Sequence, residues 1–474
     1  MVEAGEDKLA SYVDAQFEPF FVKALQDFVR VPNLTPMVDK EYATNGLVQK
    51  AMECVDSWIQ KLNIAGLSRT VIHPPNMNPL VVYVVEGSEG YKKNVMMYGH
   101  LDKQPYGPGW EEGVSPTDPI IRGEFMWGRG AADDGYSAFA CLLAVKAVQQ
   151  AGHKLPRIVL TLETEEESGS PSLLALLKEA EPLIGKPDAM FCMDSGALDY
   201  EQLWLTSSLR GICIVDLTVE GGKAGYHSGE VGGVVPETFR VIRNLLNRLD
   251  DPESGEVHAD FQVPVPDHKR KEAQFIAAKY GDKVWNKFPL HDGVRCIHQD
   301  NVEELYLNKT WRPNLSITGA DGLPPVGIAG NVLRPQTTVR CSMRLSPVFD
   351  AHKANELMAE KLGTNVPYNA KVTLKGGHAG SGWQQRELED WLQGGFEEAS
   401  GKYFGGLPLG TFGEGGSIPF LKELERKYPD TQIVALGVCG PESNIHGPNE
   451  KINLVYVRKI IKTLAHIISK TGAL

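Results

Sequence analysis

Six side chains of the types that bind metal ions occur along the chain in a fixed order, each inside a short motif. Each motif follows or lies near the end of an apolar, strand-like run. Ligands of open α/β sheets gather outside the carboxyl ends of strands, so motifs that are distant in sequence can converge on one crevice. The six residues are His100, Asp133, Glu166, Glu167, Asp194 and His446.

Five motifs carry these residues, and no single packing requirement explains all of them. A lone histidine at a strand end is usually structural, and three consecutive glutamates alone usually form a solvated loop. It is the complete ordered set that indicates a site. The motifs are NVMMYGHLDKQP (94–105), WGRGAADDG (127–135), RIVLTLETEEESGS (157–170), DAMFCMDSG (188–196) and TQIVALGVCGPESNIHGPNEK (431–451).

This mixture of side chains suits two metal ions that activate water. Imidazole and carboxylate groups bind zinc, and one carboxylate can bridge two metals. Bound metal polarises a carbonyl and lowers the pKa of water from about 15.7 to roughly 7. A further carboxylate must then accept the proton. Adjacent glutamates such as Glu166 and Glu167 are costly to bury unless metal charge compensates them.

In this order and context, the motifs resemble those of the co-catalytic zinc peptidase and deacylase family. That family includes carboxypeptidase G, aminoacylase, succinyl-diaminopimelate desuccinylase, carnosinase and the cytosolic nonspecific dipeptidases. The resemblance runs from about residue 15 to the C-terminus and is greatest for the dipeptidase and carnosinase branch. It implies a zinc-exopeptidase-like fold and two divalent ions per chain, zinc or manganese.

The resemblance also implies a role for each ligand. His100 and Asp194 would bind one ion, and Glu167 and His446 would bind the other. Asp133 would bridge both ions.

The same resemblance implies two further residue roles, and this chain differs from the family pattern at two places. Glu166 would be the general base, and Asp102 would orient His100, as such carboxylates commonly do. Asp133 would precede a cis peptide bond. The family usually has Lys-Gly after the two aspartates, whereas this chain has Gly135-Tyr136, and the segment before His446 is longer than in relatives.

A histidine in the middle of the chain is a candidate for stabilising the oxyanion. His227 lies among small residues in GGKAGYHSGEVGG (221–233), where a turn histidine is the alternative. The resemblance favours an oxyanion role, with His227 reaching across from the partner subunit of a homodimer. Preorganised donors of this kind contribute a few kcal/mol.

Other positions match substrate contacts of the dipeptidase relatives. Arg344 would clamp the substrate carboxylate, since a guanidinium can bind it in a bidentate manner. A glycine-rich turn that opens a helix, GEGGSIP (413–419), is usually only a cap, but the relatives use it for substrate. His378 could equally be a hinge-loop histidine. The candidates are Arg344, Asn331, Glu414, Ser417 and His378.

Apolar, β-branched runs alternate with helical patterns, which predicts an α/β domain with a mainly parallel sheet flanked by helices. From about residue 209 the order β-α-β-β-α-β indicates an inserted ferredoxin-like unit. The resemblance implies that this unit is a lid and dimerisation domain. An irregular stretch is expected at 250–310. The predicted division is 1–208 and 385–474 for the catalytic domain and 209–384 for the insertion.

Composition bounds the remaining possibilities. A chain of 474 residues predicts two domains. A net charge of −12 argues against a nucleic-acid partner. Seven scattered cysteines without a CxxC pair suit reduced thiols in a cytosol. The start MVEAGEDK lacks a basic-then-apolar signal, and the apolar runs are too short to span a membrane. A cytoplasmic protein is expected.

Three functions fit these observations. The first is a metallo-dipeptidase that cleaves dipeptides or short peptides with a free N-terminus, through a metal-bridging water and a glutamate base. The second is an N-acyl amino acid deacylase, such as a succinyl-diaminopimelate desuccinylase or acetylornithine deacetylase. The third, a non-catalytic scaffold, is disfavoured because every ligand is present. The resemblance favours the dipeptidase, because family members that act on free amines tend to carry aspartate at the position of Asp194, whereas deacylases tend to carry glutamate. Glu414 agrees, because an anion there would repel an acyl carboxylate.

Overall fold

The structure is a computed structural model that describes residues 2–286, 288 and 290–471. The chain divides into two compact units, which are described separately below. Unit 1 comprises Met1–Thr206, Gln385–Phe412 and Glu423–Leu474, and unit 2 comprises Ser207–Gln384 and Gly413–Lys422. The domain limits predicted from the sequence stay a prediction.

Fourteen α-helices lie in the described part of the chain. They are α1 (Val2–Gln16), α2 (Lys23–Val29), α3 (Leu47–Leu62), α4 (Tyr136–Gln150), α5 (Leu173–Glu179), α6 (Glu181–Ile184), α7 (Ser228–Val231), α8 (Thr238–Leu246), α9 (Asp267–Tyr280), α10 (Val302–Thr310), α11 (Ala351–Gly363), α12 (Asp390–Tyr403), α13 (Pro419–Lys427) and α14 (Leu454–Thr471).

The strands of the same ranges are β1 (Leu67–Ile72), β2 (Leu80–Val85), β3 (Asn94–His100), β4 (Ile120–Arg122), β5 (Phe125–Trp127), β6 (Arg157–Glu163), β7 (Ala189–Cys192), β8 (Trp204–Leu209), β9 (Gly211–Glu220), β10 (Tyr226–His227), β11 (Asn314–Asp321), β12 (Val332–Leu333), β13 (Gln336–Leu345), β14 (Lys371–Gly380), β15 (Trp383–Gln384), β16 (Gly410–Glu414), β17 (Gln432–Ala435) and β18 (Lys451–Asn453).

The large sheet of unit 1 has the order β1-β2-β6-β3-β7-β17-β8. Its centre is parallel, since β3 pairs with β6 and β7, and β7 pairs with β17. Every residue of β2 and β3 is buried, as expected for central strands covered on both faces. The predicted α/β class is confirmed.

One predicted helix is interrupted. The apolar pattern of residues 8–31 predicts a single helix ending before Pro32, and the chain does leave the helix there. Between α1 and α2, however, Phe17–Val22 forms a wider π-helical turn. Phe17, Phe20 and Phe21 are all buried in this turn, so its side chains still face the core.

Unit 2 contains a four-stranded antiparallel sheet with the order β11-β13-β9-β14. The element sequence β9-α8-β11-β13-α11-β14 gives the ferredoxin-like arrangement that the sequence predicts. Burial alternates strictly along β9 because one face of the sheet packs against the helices. That face forms the core of unit 2, with Val215, Leu217, Ile242 and Met358 fully or almost fully buried.

The expectation of an irregular stretch at 250–310 is wrong in part, because α9 and α10 lie within it. Helix α9 has only three buried residues, Lys269, Ala273 and Ile276. A lysine at a buried position and a small alanine break the apolar repeat by which amphipathic helices are detected.

Two further expectations concern the whole chain. The cysteines are all described, and each is a free thiol, as the scattered pattern predicts. Over residues 2–286, 288 and 290–471, none of the helices has the length and apolar character that crossing a bilayer requires. The cytoplasmic location stays a prediction.

Candidate metal centre

Neighbouring strands of unit 1 bring the predicted ligands to one edge of the sheet. His100 is the last residue of β3, and Asp194 follows β7 by two residues. Glu167 follows β6 in a short helical turn, Glu166–Ser168. Strand β17 leads into the loop that carries His446. Because β6, β3, β7 and β17 are adjacent and parallel, their carboxyl ends share one edge.

The first group of metal-binding side chains consists of His100, Asp133 and Asp194. The Nε2 atom of His100 lies 3.1 Å from Oδ1 of Asp133 and 4.0 Å from Oδ1 of Asp194. One ligand atom from each residue lies within 4.8 Å of the other two. Such a spacing lets three atoms face a single cation.

The second group consists of Asp133, Glu167 and His446. The Nε2 atom of His446 lies 3.0 Å from Oδ2 of Asp133 and 3.2 Å from Oε2 of Glu167. Asp133 therefore turns one carboxylate oxygen toward each histidine and belongs to both groups. The bridging role that the resemblance implies for Asp133 stays a prediction.

The electrostatics of these groups fit bound cations. Burial, and then the charge of Asp133, raises the pKa of Glu167 to about 7. Burial and the nearby Asp194 raise the pKa of Glu166 well above its usual value. Although burial lowers the pKa of His446, its bonds to Asp133 and Glu167 raise it to about 11. Closely packed carboxylates of this kind need positive charge.

A second observation supports the fit. The Oε1 atom of Glu167 is buried and has no hydrogen-bond partner among the described residues. A buried carboxylate oxygen without a donor is costly, whereas a metal ion would satisfy it. The other oxygen, Oε2, accepts a hydrogen bond of 2.6 Å from Nε2 of Gln104.

Asp102 joins His100 to the glutamate turn. Its carboxylate accepts hydrogen bonds from the backbone nitrogens of Glu166, at 3.0 Å, and Glu167, at 3.1 Å. The Nδ1 atom of His100 lies 3.0 Å from the backbone oxygen of Asp102 and 3.5 Å from its Oδ1. A proton on Nδ1 would leave Nε2 free for a metal. The Glu166 carboxylate belongs to neither ligand group.

The peptide bond from Asp133 to Asp134 is cis, as the resemblance implies. Just after this bond, the chain has Gly135-Tyr136 where the family usually has Lys-Gly, and packing explains this difference. A side chain at Gly135 would collide with the Phe28 ring, and Tyr136 is fully buried with its hydroxyl donating to the carbonyl of Met193 at 2.5 Å. The Gly-Tyr pair therefore serves the core of unit 1.

The substrate-contact candidates of unit 2 form a smaller cluster. The Nη1 atom of Arg344, on β13, donates to Oγ of Ser417 at 3.1 Å. Burial lowers the pKa of Arg344. Burial and the charge of Arg344 lower the pKa of His378, on β14. Glu414 ends β16, and its neighbour Gly415 accepts a hydrogen bond of 3.3 Å from Arg210.

His227 and Asn331 lie close together elsewhere in unit 2. Strand β10 pairs with β12 through His227 and Val332, and the Ser228 nitrogen donates to the Asn331 oxygen at 2.9 Å. Both candidates are exposed. The Nδ1 atom of His227 accepts from the Gly229 nitrogen at 3.2 Å, so the neutral ring carries its hydrogen on Nε2. This leaves Nε2 as a hydrogen-bond donor.

Sequence reasoning missed three residues of the metal centre, Gln104, Arg129 and Glu450. Each lies inside one of the five motifs, and this position is the sequence signal that could have identified it. Their contacts connect backbone and side chains from distant segments, and spacing alone does not reveal such contacts.

The model of peptidase family M20/M25/M40 matches residues 96–470, which include all the candidate metal ligands. The chain belongs to this family. The resemblance identified from the motifs is therefore confirmed, and so is the prediction of a metallopeptidase.

Several curated relatives resemble this peptidase over most of its length. Cys-Gly metallodipeptidase dug1 of Schizosaccharomyces pombe is 26% identical over 487 residues, covering 96% of each chain. Cys-Gly metallodipeptidase DUG1 of Saccharomyces cerevisiae is 28% identical over 417 residues, 84% of each chain. Human Beta-Ala-His dipeptidase is 26% identical over 394 residues, 79% of this chain and 74% of the relative.

Two solved structures share the fold of the peptidase. The dipeptidase Dug1p of Saccharomyces cerevisiae superposes with a TM-score of 0.76 at 24% identity, covering 99% of both chains. Human carnosine dipeptidase 1 superposes with a TM-score of 0.77 at 22% identity, also covering 99% of both. These likenesses support the α/β architecture derived above.

Proposed function

We propose that this protein is a metal-dependent dipeptidase that hydrolyses dipeptides or short peptides with a free N-terminus. The observation that carries the proposal is the pair of ligand groups that share Asp133. Family membership supplies the peptidase class, and the full-length relatives that act on dipeptides support the choice of substrate.

Two divalent ions per chain, zinc or manganese, would be held by the two groups. His100 and Asp194 would hold one, Glu167 and His446 the other, and Asp133 both. When bound, the ions supply positive charge that acidifies water and polarises the scissile carbonyl. Imidazole and carboxylate ligands without thiolates suit either ion.

The protein's own residues would then handle the proton and the developing charge. Glu166 would take a proton from the attacking water and deliver it to the leaving amine. Its carboxylate belongs to neither ligand group, and the bond from its backbone to Asp102 fixes the turn. The Nε2–H of His227 would donate to the oxyanion.

Arg344 would bind the substrate carboxylate. The guanidinium is partly buried, has Ser417 as its hydrogen-bond partner, and has no carboxylate within salt-bridge distance among the described residues. A half-buried cation without an anionic partner favours an anionic ligand. Glu414 would face the substrate amine, and Asn331 and His378 would add polar contacts.

A homodimer would place His227 in the active site of the partner subunit. Two features of unit 2 support an interface. Strand β11 is a sheet edge whose outer residues are exposed, and an unpaired edge must be covered. Large apolar side chains are also unusually exposed, with Val326 94%, Val234 81% and Ile328 77% accessible.

A substrate panel tests the activity. Enzyme reconstituted with Zn²⁺ or Mn²⁺ is expected to hydrolyse Ala-Ala, Cys-Gly or carnosine. It should act little on N-acetylornithine or N-succinyl-diaminopimelate, because Glu414 would repel an acyl carboxylate. Turnover of the acylated substrates alone would assign a deacylase function instead of the dipeptidase function. No turnover of either class would leave the non-catalytic scaffold as the remaining alternative.

Metal analysis tests the shared ligand. The wild-type chain is expected to retain two ions after dialysis, and Asp133→Ala to lose affinity for both, because both groups use Asp133. Chelation should abolish turnover, and added Zn²⁺ or Mn²⁺ should restore it. One tight ion in the wild type that also stays in the variant would contradict the bridging assignment.

A further inference from the structure

A buried carboxylate outside both ligand groups holds the loop that carries Asp133. Glu450 is fully buried. Its Oε2 atom accepts from Nη1 of Arg129 at 2.8 Å and from the Gly130 nitrogen at 2.9 Å. Its Oε1 atom accepts from the backbone nitrogens of Ala132, at 2.9 Å, and Asp133, at 3.2 Å. Both oxygens therefore accept from backbone nitrogens of the segment from Gly130 to Asp133.

Arg129 and Glu450 also connect this loop to the segment that carries His446. The Nη2 atom of Arg129 donates to the carbonyl of Gly447, the next residue, at 2.5 Å. The Gly128 nitrogen donates to the backbone oxygen of Glu450 at 2.9 Å. Asp133 and His446 are far apart in sequence, and their side chains meet at 3.0 Å between these two bridged segments.

We infer that Glu450 and Arg129 are positioning residues, which set the separation of Asp133 and His446 and thereby the affinity of both metal groups. The inference rests on the proposed metal assignment. It adds residues outside both ligand groups that fix the backbone at Asp133 and the carbonyl of Gly447, next to His446.

The contacts distinguish this role from ordinary core stabilisation. Burying an ion pair seldom adds stability relative to apolar residues. Here the Nε atom of Arg129 is also buried without an acceptor among the described residues, which weakens the pair further as a stabilising contact. The contacts instead bring donors from the segment 129–133 together on the one carboxylate of Glu450.

Glu450→Gln is the main test. An amide keeps the size of the side chain, but its NH₂ group would face backbone N–H donors and lose their bonds. The Asp133 loop should shift, and because Asp133 serves both groups, both ions should bind more weakly. Residues that support metal ligands typically change affinity 10- to 100-fold, and a loss in about that range is expected.

The experiment measures Co²⁺ and Zn²⁺ affinity by chelator competition, together with the visible absorption spectrum of the Co²⁺ protein and the melting temperature of the metal-free protein. The spectrum reports ligand geometry and is insensitive to stability alone. Glu272→Gln is the matched control, because Glu272 is a buried carboxylate paired with Lys269 at 3.3 Å in unit 2. It should leave affinity and spectrum at wild-type values.

A second variant covers the case in which Glu450→Gln does not fold. Arg129→Lys keeps the charge, but a single ammonium cannot span Glu450 and Gly447 as the guanidinium fork does. It should fold and bind metal several-fold more weakly, with an altered Co²⁺ spectrum.

Folded variants with wild-type affinity and spectrum would overturn the inference, as would the failure of both variants to fold, which would make the pair a fold determinant. A wild-type chain that binds no metal would instead remove the proposed function itself.

Discussion

Glu166→Gln is expected to lower kcat roughly 10²- to 10⁴-fold, the range that general acid–base catalysis contributes, with metal content at the wild-type level. The amide has nearly the same shape but cannot accept a proton from water. Metal content should be unchanged because the Glu166 carboxylate belongs to neither ligand group. Steady-state kinetics and metal analysis on the same dialysed sample provide the comparison.

The adjacent residue should give the opposite phenotype. In Glu167→Gln a neutral amide replaces the carboxylate whose Oε2 lies 3.2 Å from Nε2 of His446, so metal occupancy should fall. Glu165→Gln is the matched control. Its carboxylate is bound away from the ligand groups, by Asn78 at 2.5 Å and the Ser172 nitrogen at 2.8 Å. Reversed phenotypes for Glu166 and Glu167 would mean that the assignment within this run is wrong by one residue.

The strand ends were predictable because continuous apolar runs are typical of buried parallel strands. The apolar runs at 94–98 and 157–163 predict two strands, and β3 and β6 begin and end within two residues of these limits. The side chains immediately after them, such as His100 and Glu167, then had to lie at the edge of the sheet. The order of the strands, which makes them neighbours, is given by the structure and not by their sequence patterns.

Other features depend on contacts that no local pattern records. Lys269 occupies a buried position in α9 because its ammonium donates to Oγ of Ser207 at 2.5 Å and of Ser208 at 2.9 Å. Periodicity therefore fails to detect the helix. The role inferred for Glu450 likewise depends on contacts with a loop more than 300 residues earlier in the chain, such as the hydrogen bond from the Ala132 nitrogen. Such long-range polar contacts are visible only in the folded structure.

Mixing two inactive variants is expected to restore activity if each active site uses His227 of the partner subunit. Glu166→Gln chains lack the base, and His227→Ala chains lack the oxyanion donor, so each homodimer should be nearly inactive. In a heterodimer, one site would contain both intact residues and the other would contain neither.

The size of the recovery follows from counting sites. With equal amounts and random exchange, about half the dimers are heterodimers with one intact site of two, so about a quarter of wild-type activity should return. Mixing Glu166→Gln with Asp133→Ala is the control. Each active site takes both Glu166 and Asp133 from unit 1 of a single chain, so every site in such a mixture keeps one defect.

Recovery in the His227 mixture alone would show that one active site is built from two chains, which a purely structural dimer cannot reproduce. The exposed position of His227 and its Nε2 donor suit a ligand outside its own unit. Exchange itself must be verified by mass spectrometry of differently labelled chains. Proven exchange without recovery would assign His227 to the active site of its own chain or to a turn.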